Sequence, residues 1–243
     1  MEGTSSTSYS VLTFFIKGLV LVTIMSSIGS INATSDEKWR RPCGISNGPS
    51  PGQPGGPPTA SPETLVAAML PALASSIADA DSLKNKYISE RMLERRVPHL
   101  NSFHYDGMPD VSMTPTEIEE SLSDINLSHL TNYQKLSKAL VFLEQVRFDE
   151  TFMDNSIATY REEVQKIETS IMNVMCTKQK LIHNSGSQID YVSHTVMPQD
   201  IRVTINDHER HERDYVIVKD TVQLLQTMQM HVTAINRQMG RNQ

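Results

Sequence analysis

Apolar and polar positions recur with a helical period along most of this chain, most clearly from Tyr160 onward. Tyr160, Val164, Ile167, Ile171, Val174, Lys178 and Leu181 follow one another at spacings of four, three, four, three, four and three. That is one narrow helix face, apolar at every station except Lys178. Arg161, Glu162, Gln165, Lys166, Glu168 and Asn173 fall between these stations and want water. A helix over 160–181 is about 33 Å long. A stripe of that length must be packed against neighbours, so it marks core and architecture rather than function.

Three further helices read the same way. The pattern turns helical from Ser61, and Pro71 is expected in the first turn, where proline is tolerated. Leu73, Ile77, Ala80, Lys84, Tyr87 and Ile88 then line one face until Arg96-Val97-Pro98 stops it. Residues 98–117, with Pro98, Gly107, Pro109 and Pro115, form a long irregular connection, and 116–124 add a short helical turn. A second long helix spans 128–147 with Tyr133, Leu136, Leu140, Leu143 and Val146 inward. Phe148-Asp149-Glu150 is the break before the third helix, which starts near Phe152. Residues 183–207 loosen again around Gly186 and Pro198, and the Val203–Ile205 alternation fits a short strand. The last helix covers 209–239, with Tyr215, Val218, Val222, Leu225, Met228, Val232, Ile235 and Met239 inward.

Connections that are long, short and long select a topology. The short one makes the second and third helices antiparallel neighbours. Each long one can travel the length of a bundle, which lets the helices it joins run parallel. The expected fold is therefore all-α, a long-chain four-helix bundle of up-up-down-down type with two long crossover loops. Ferritin-like and simple up-and-down bundles fit these loop lengths less well.

The N-terminus bears on compartment. Phe14, Phe15 and Ile16, then 19–25, form an apolar run interrupted by Lys17 and closing on small residues through Ala33. It reads as a secretory signal peptide over 1–33. The run over 11–31 is also about long enough to span a bilayer, so the alternative is a type II membrane-anchored helical ectodomain acting in adhesion or scaffolding. Lys17 favours the signal peptide. Residues 34–62 form a flexible Gly/Pro/Ser-rich tether, and 63–243 form the bundle. Lys38-Trp39-Arg40-Arg41 looks like a processing site, although Pro42 would hinder cleavage. In an oxidising lumen Cys43 and Cys176 are the only possible intramolecular disulfide; two free or intermolecular thiols are the alternative. If paired, they close a loop of about 134 residues, worth roughly 4–5 kcal/mol. Of two glycosylation sequons, Asn32-Ala33-Thr34 sits at the expected cleavage point, which leaves Asn126 as the acceptor.

Composition narrows the chemistry. Hydrophobic residues make up 38% of the 243-residue chain and aromatic residues 6%, enough for a core of Leu, Ile, Val and Met. Net charge is −6 with no long basic block, which argues against nucleic acid as a partner. His208-Glu209-Arg210-His211-Glu212 resembles a zinc-protease helix, but the second histidine comes one residue early and Glu212 stands where that ligand belongs. A di-iron bundle needs inward carboxylates, whereas the inward stations here are apolar apart from Lys84 and Lys178. No Gly-rich phosphate loop precedes a helix. These patterns indicate neither an enzyme nor a metal or cofactor site, and no small-molecule substrate; a lumenal helical carrier or metal-binding bundle is a third reading.

The order of segments resembles a known group of proteins. Tyr87-Ile88 at the end of helix one, Asp106-Gly107-Met108-Pro109 in the first long loop, the 130–144 stretch LTNYQKLSKALVFLE and the 215–236 helix are similar to ciliary neurotrophic factor and the cardiotrophins over about 75–239. The Cys43–Cys176 pairing resembles leukaemia inhibitory factor, whose N-terminal segment is tied to the end of its third helix. The resemblance implies a secreted, glycosylated cytokine, monomeric before it meets receptors, that assembles ectodomains of the shared signal-transducing and leukaemia-inhibitory-factor-receptor type and activates JAK-STAT signalling. It places one receptor face at the start of the fourth helix, where the family uses Phe followed three residues later by Lys. Those positions are His211 and Asp214 here, so that motif is absent; Arg213 is adjacent, and Tyr215 and Lys219 follow. A second face spans exposed positions of helices one and three, with Lys84, Glu162 and Lys166 as candidates.

Overall fold

The computed structural model describes residues 37–44, 60–152, 159–204 and 206–241. The signal-peptide stretch, the Asn32 sequon, most of the tether and Ile205 lie outside the described residues. All described residues but 37 and 38 belong to the compact unit Trp39–Gln243. Among the described residues there are seven α-helices and no strand: α1 (Pro62–Glu90), α2 (Val97–Ser102), α3 (Pro115–Ser121), α4 (Ile125–Phe152), α5 (Arg161–Asn184), α6 (Gln199–Arg202) and α7 (Asp207–Arg241). Four of them are long and form a helical bundle, in which α1 packs against α5 and α7, and α4 packs against the same two.

Helix α1 begins at Pro62 rather than at Pro71. Ser61 caps it by accepting the Thr64 N–H at 3.3 Å, and Pro62 occupies the first position, so the start signal is complete before Pro71 is reached. Pro71 therefore lies inside the helix. It sits on the exposed side, where the carbonyl it leaves unbonded can meet water. The buried face is Val66, Met69, Leu73, Ser76, Ala80, Leu83 and Tyr87; Ile77, Lys84 and Ile88 flank it half-buried. The helix ends at Glu90, before the Arg96-Val97-Pro98 stop. The connection after it contains α2, and α3 opens with a capping box between Thr114 and Glu117.

Helix α4 starts at Ile125, earlier than the periodicity indicates, because the Asp124 carboxylate accepts the Leu127 N–H at 2.9 Å. It also runs straight through the expected break at Phe148-Asp149-Glu150. Both acids there are buried with cationic partners, so the Phe-Asp-Glu triplet continues the helix rather than ending it. Helix α5 follows its stripe: all seven stations from Tyr160 to Leu181 are buried, Lys178 included. Glu168 departs from expectation, buried against Arg147 at 2.8 Å. Helix α7 buries Tyr215, Val218, Val222, Leu225, Met228, Val232 and Ile235, with Met239 packed at the margin.

Two features fasten the ends. Cys43 and Cys176 are joined as a disulfide, with Cα atoms 4.8 Å apart. Next to it Trp39 is buried; its indole N–H donates to the Val192 carbonyl at 2.7 Å, and the Tyr133 hydroxyl donates to the Trp39 carbonyl at 2.5 Å. The stretch expected to be tether therefore begins with an anchored segment. Gly107, in the first long connection, has φ +88°, and a Cβ there would come within 2.2 Å of the Val196 carbonyl oxygen in the second. The Asp106-Gly107-Met108-Pro109 tetrapeptide is thus where the two connections cross. Gly107→Ala is expected to lower stability by about 2 kcal/mol, from the left-handed backbone and the blocked approach together; chemical denaturation checks it.

Candidate interaction surface

The start of α7 is fastened by charge pairs, with Asp207, His208 and Glu209 themselves exposed. Arg96 forks onto Glu212 with nitrogen–oxygen distances of 2.7 and 2.6 Å, and His208 Nε2 lies 3.2 Å from the same carboxylate. Arg96 holds the Glu212 carboxyl below its usual range, its hydrogen bonds outweighing partial burial. The first and last residues of the His-Glu-Arg-His-Glu run, His208 and Glu212, are therefore drawn into this clamp, while Arg210 pairs with Asp207 at 2.8 Å. Among the described residues no three His, Cys, Asp or Glu side chains gather as a metal site.

Arg213 is buried behind it. Its guanidinium donates to Asp214 Oδ1 at 2.9 and 2.6 Å, to Asp149, to the carbonyls of Ile201 and Arg202 at 3.2 Å each, and to Thr204 Oγ1 at 3.2 Å. Burial pushes the Asp214 carboxyl up to about 7, against the opposing charge of Arg213. Two residues on, the Tyr215 hydroxyl donates to Asn101 Oδ1 at 2.5 Å. The Lys219 ammonium donates to the carbonyls of Leu100, Asn101 and Phe103 at 3.1, 3.2 and 2.5 Å. Those carbonyls close the C-terminal end of α2, which Lys219 caps as a cation at a helix C-terminus. Arg213, Tyr215 and Lys219 thus bind the two long connections to α7. They face inward, unlike the outward receptor face that the resemblance implies for this stretch, and His211 is half-buried.

The residues assigned to helices one and three sit differently. Glu162 and Lys166 are exposed, and Lys166 reaches across to Asp79 of α1 at 2.8 Å. Lys84 is half-buried and pairs with Asp81 on its own helix at 2.5 Å. Lys86 of α1 meets Glu163 at 2.5 Å. The α1/α5 seam therefore carries a mixed-charge face that includes two of the three candidates. Asn126 is exposed in the first turn of α4, while the Ser128 hydroxyl of its sequon donates to the Ser121 carbonyl at 2.6 Å.

Three features escape a reading by apolar stripes. Glu150 is buried where α1, α4 and α5 meet, accepting from the Tyr87 hydroxyl (2.9 Å), the Arg91 guanidinium (2.5 and 3.2 Å) and the Tyr160 N–H (2.7 Å). Lys178 is fully buried, and its ammonium has no hydrogen-bond partner among the described residues. Burial brings it down to about 7. His129 and His231 are buried nearby and depressed to about 3 and about 4 by burial and then by the Lys178 charge. His231 is tied to Ser121 at 2.8 Å and Asn132 at 2.6 Å. The third feature is outward: Phe148 and Phe152 are 38% and 70% exposed, with ring centroids 4.9 Å apart. Their spacing of four on the side of α4 away from its stripe is legible in the sequence once α4 is extended past Arg147. The chain matches no family model, no curated protein and no solved structure.

Proposed function

We propose that this chain is a secreted helical signalling ligand that binds and assembles cell-surface cytokine receptors, with an up-up-down-down bundle. The order of its cross-helix pairs carries the reading. Asp79 and Lys86 of α1 meet Lys166 and Glu163 of α5 in reversed order. Asn132 and Asp149 of α4 likewise meet His231 and Arg213 of α7 in reversed order, and Arg147 near the end of α4 meets Glu168 near the start of α5. Pairs in that order suit first and second long helices that run the same way. The tie from Cys43 to Cys176 supports the likeness to leukaemia inhibitory factor. Helix α1 is long and apolar enough to cross a membrane by composition alone, but its apolar face packs on α5 and α7.

Receptor contact in this scheme uses two faces. The α1/α5 seam around Glu162 and Lys166 serves the shared signal-transducing chain. Phe148, next to the Asp149 that reaches the start of α7, and Phe152 one turn further along supply the aromatic anchor that the resemblance places on α7 itself. STAT phosphorylation in cells bearing both receptor types tests the proposal. The native protein is expected to activate it, and F148S/F152S to need at least about tenfold more protein for the same response at unchanged thermal stability. Silence of the native protein at micromolar concentration would overturn it.

A further inference from the structure

Two pairs of adjacent arginines occur in the chain, Arg40-Arg41 and Arg95-Arg96, and the fold treats them oppositely. The first pair belongs to the Lys38-Trp39-Arg40-Arg41 motif that looks like a processing site in sequence. Its backbone is anchored, because Trp39 is buried and bonded through its indole N–H to Val192 and through its carbonyl to Tyr133. The second pair closes a single 3-10 turn, Glu94–Arg96, between α1 and α2. Leu93, Glu94, Arg95 and Arg96 are exposed in succession. Leu93 is extended, with φ −76° and ψ 121°. The turn is closed by the Arg96 N–H on the Leu93 carbonyl at 2.8 Å and by the Val97 N–H on the Glu94 carbonyl. A turn so exposed and so lightly bonded opens at little cost. The two arginines also differ from each other. Arg96 forks onto Glu212, whereas the Arg95 side chain has no partner among the described residues. The other described basic residues outside α-helices are Lys38, Arg40 and Arg41 beside the buried Trp39, and Arg91 on Glu150. Arg95 alone among them combines surface backbone with a side chain free to leave it.

We propose that the Arg95–Arg96 bond is where an extracellular trypsin-like protease converts this chain to a two-chain form. Such an enzyme holds a guanidinium in a pocket with an acid at its base, and it takes exposed loops rather than packed helices. Water adds across the amide, leaving a carboxylate on Arg95 and an ammonium on Arg96. The pieces do not part. Cys43 lies before the cut and Cys176 after it, so the disulfide spans it. Helix α1 still packs on α5 and α7, and Arg96 stays forked on Glu212, which holds the new N-terminus against α7. What changes is the leash between α1 and α2, so that the first long connection now starts from a free end. The proposal stands apart from the signalling reading, since any chain displayed outside the cell can meet such a protease.

Brief digestion of the disulfide-intact full chain with trypsin is the test. The first product is expected to run as one species without reductant and as two with it, and the larger piece to begin at Arg96. R95Q, which alters one exposed side chain, is expected to slow that cut by at least about a thousandfold without moving the melting transition. Three results would each overturn the proposal: a first cut at any other bond after Glu37, pieces that separate without reductant, or cleavage of R95Q at the native rate.

Discussion

Arg213→Ala is expected to cost the fold about 3–5 kcal/mol, because it strands two buried carboxylates. Asp149 and Asp214 are both withdrawn from water, and the Arg213 guanidinium answers both of them together with two carbonyls and a hydroxyl of the second long connection. Removing it leaves charges with no counter-ion and carbonyls with no donor. Arg213→Lys should recover little, since one ammonium cannot span that set of acceptors. The cost should also shrink with acidification, as the orphaned acids neutralise by taking protons. Urea denaturation at pH 8 and pH 5 measures both effects. A loss under about 1 kcal/mol at pH 8 would mean that Arg213 is not a keystone.

Lys178→Met is expected to act in the opposite direction and stabilise the protein. An ammonium at 0% exposure with no acceptor among the described residues is an uncompensated charge. Lowering it from 10.5 to about 7 costs the native state on the order of 4 kcal/mol at and below pH 7. Between pH 7 and 10.5 the unfolded chain holds this proton and the native chain does not, so native stability rises with pH across that window. The methionine variant should therefore gain at least about 2 kcal/mol at pH 7, with the advantage fading toward pH 10.5. The neighbouring histidines set the acid limb. His129 and His231, at about 3 and about 4 in the fold against an ordinary value of about 6.5, take up protons on unfolding, so stability falls as pH drops below 6.5. Asp214, held up near 7, opposes them, because the native state binds its proton more tightly between pH 3.8 and 7. Two histidines against one aspartate leave a net fall toward acid. Thermal melts from pH 4 to 10 of both proteins check the signs, and a destabilised methionine variant would contradict the burial.

Apolar periodicity made the four long helices legible, and the α5 stripe was read station by station. The period could not reveal where polar residues find partners inside. Phe148-Asp149-Glu150 looks like a break because three consecutive non-stripe residues suggest solvent. Only the tertiary positions of Arg91 and Arg213 turn Asp149 and Glu150 into buried pairs that extend α4 to Phe152. The same blindness affected the start of α7. Arg213 and Lys219 look like surface charges in sequence, yet each finds acceptors on α2 or on the connection before α7 and is drawn inward; Tyr215, placed inward by its stripe, is tied to Asn101 as well and so is not the outward contact that the resemblance implied. Pro71 misled for a different reason: proline tolerance depends on which side of the helix faces water, which one residue type does not encode. The Asp106-Gly107-Met108-Pro109 tetrapeptide was noticed as a motif, but its physical role, a backbone crossing at Gly107, needed the second connection in place.

Sedimentation of the disulfide-intact protein with purified receptor ectodomains tests the central claim most directly. The proposed function predicts one particle containing a single copy of this chain and at least two receptor chains, with F148S/F152S losing one of them and keeping the other. A protein that sediments alone beside the shared signal-transducing ectodomain and beside the leukaemia-inhibitory-factor-receptor type, at micromolar concentration, would contradict it.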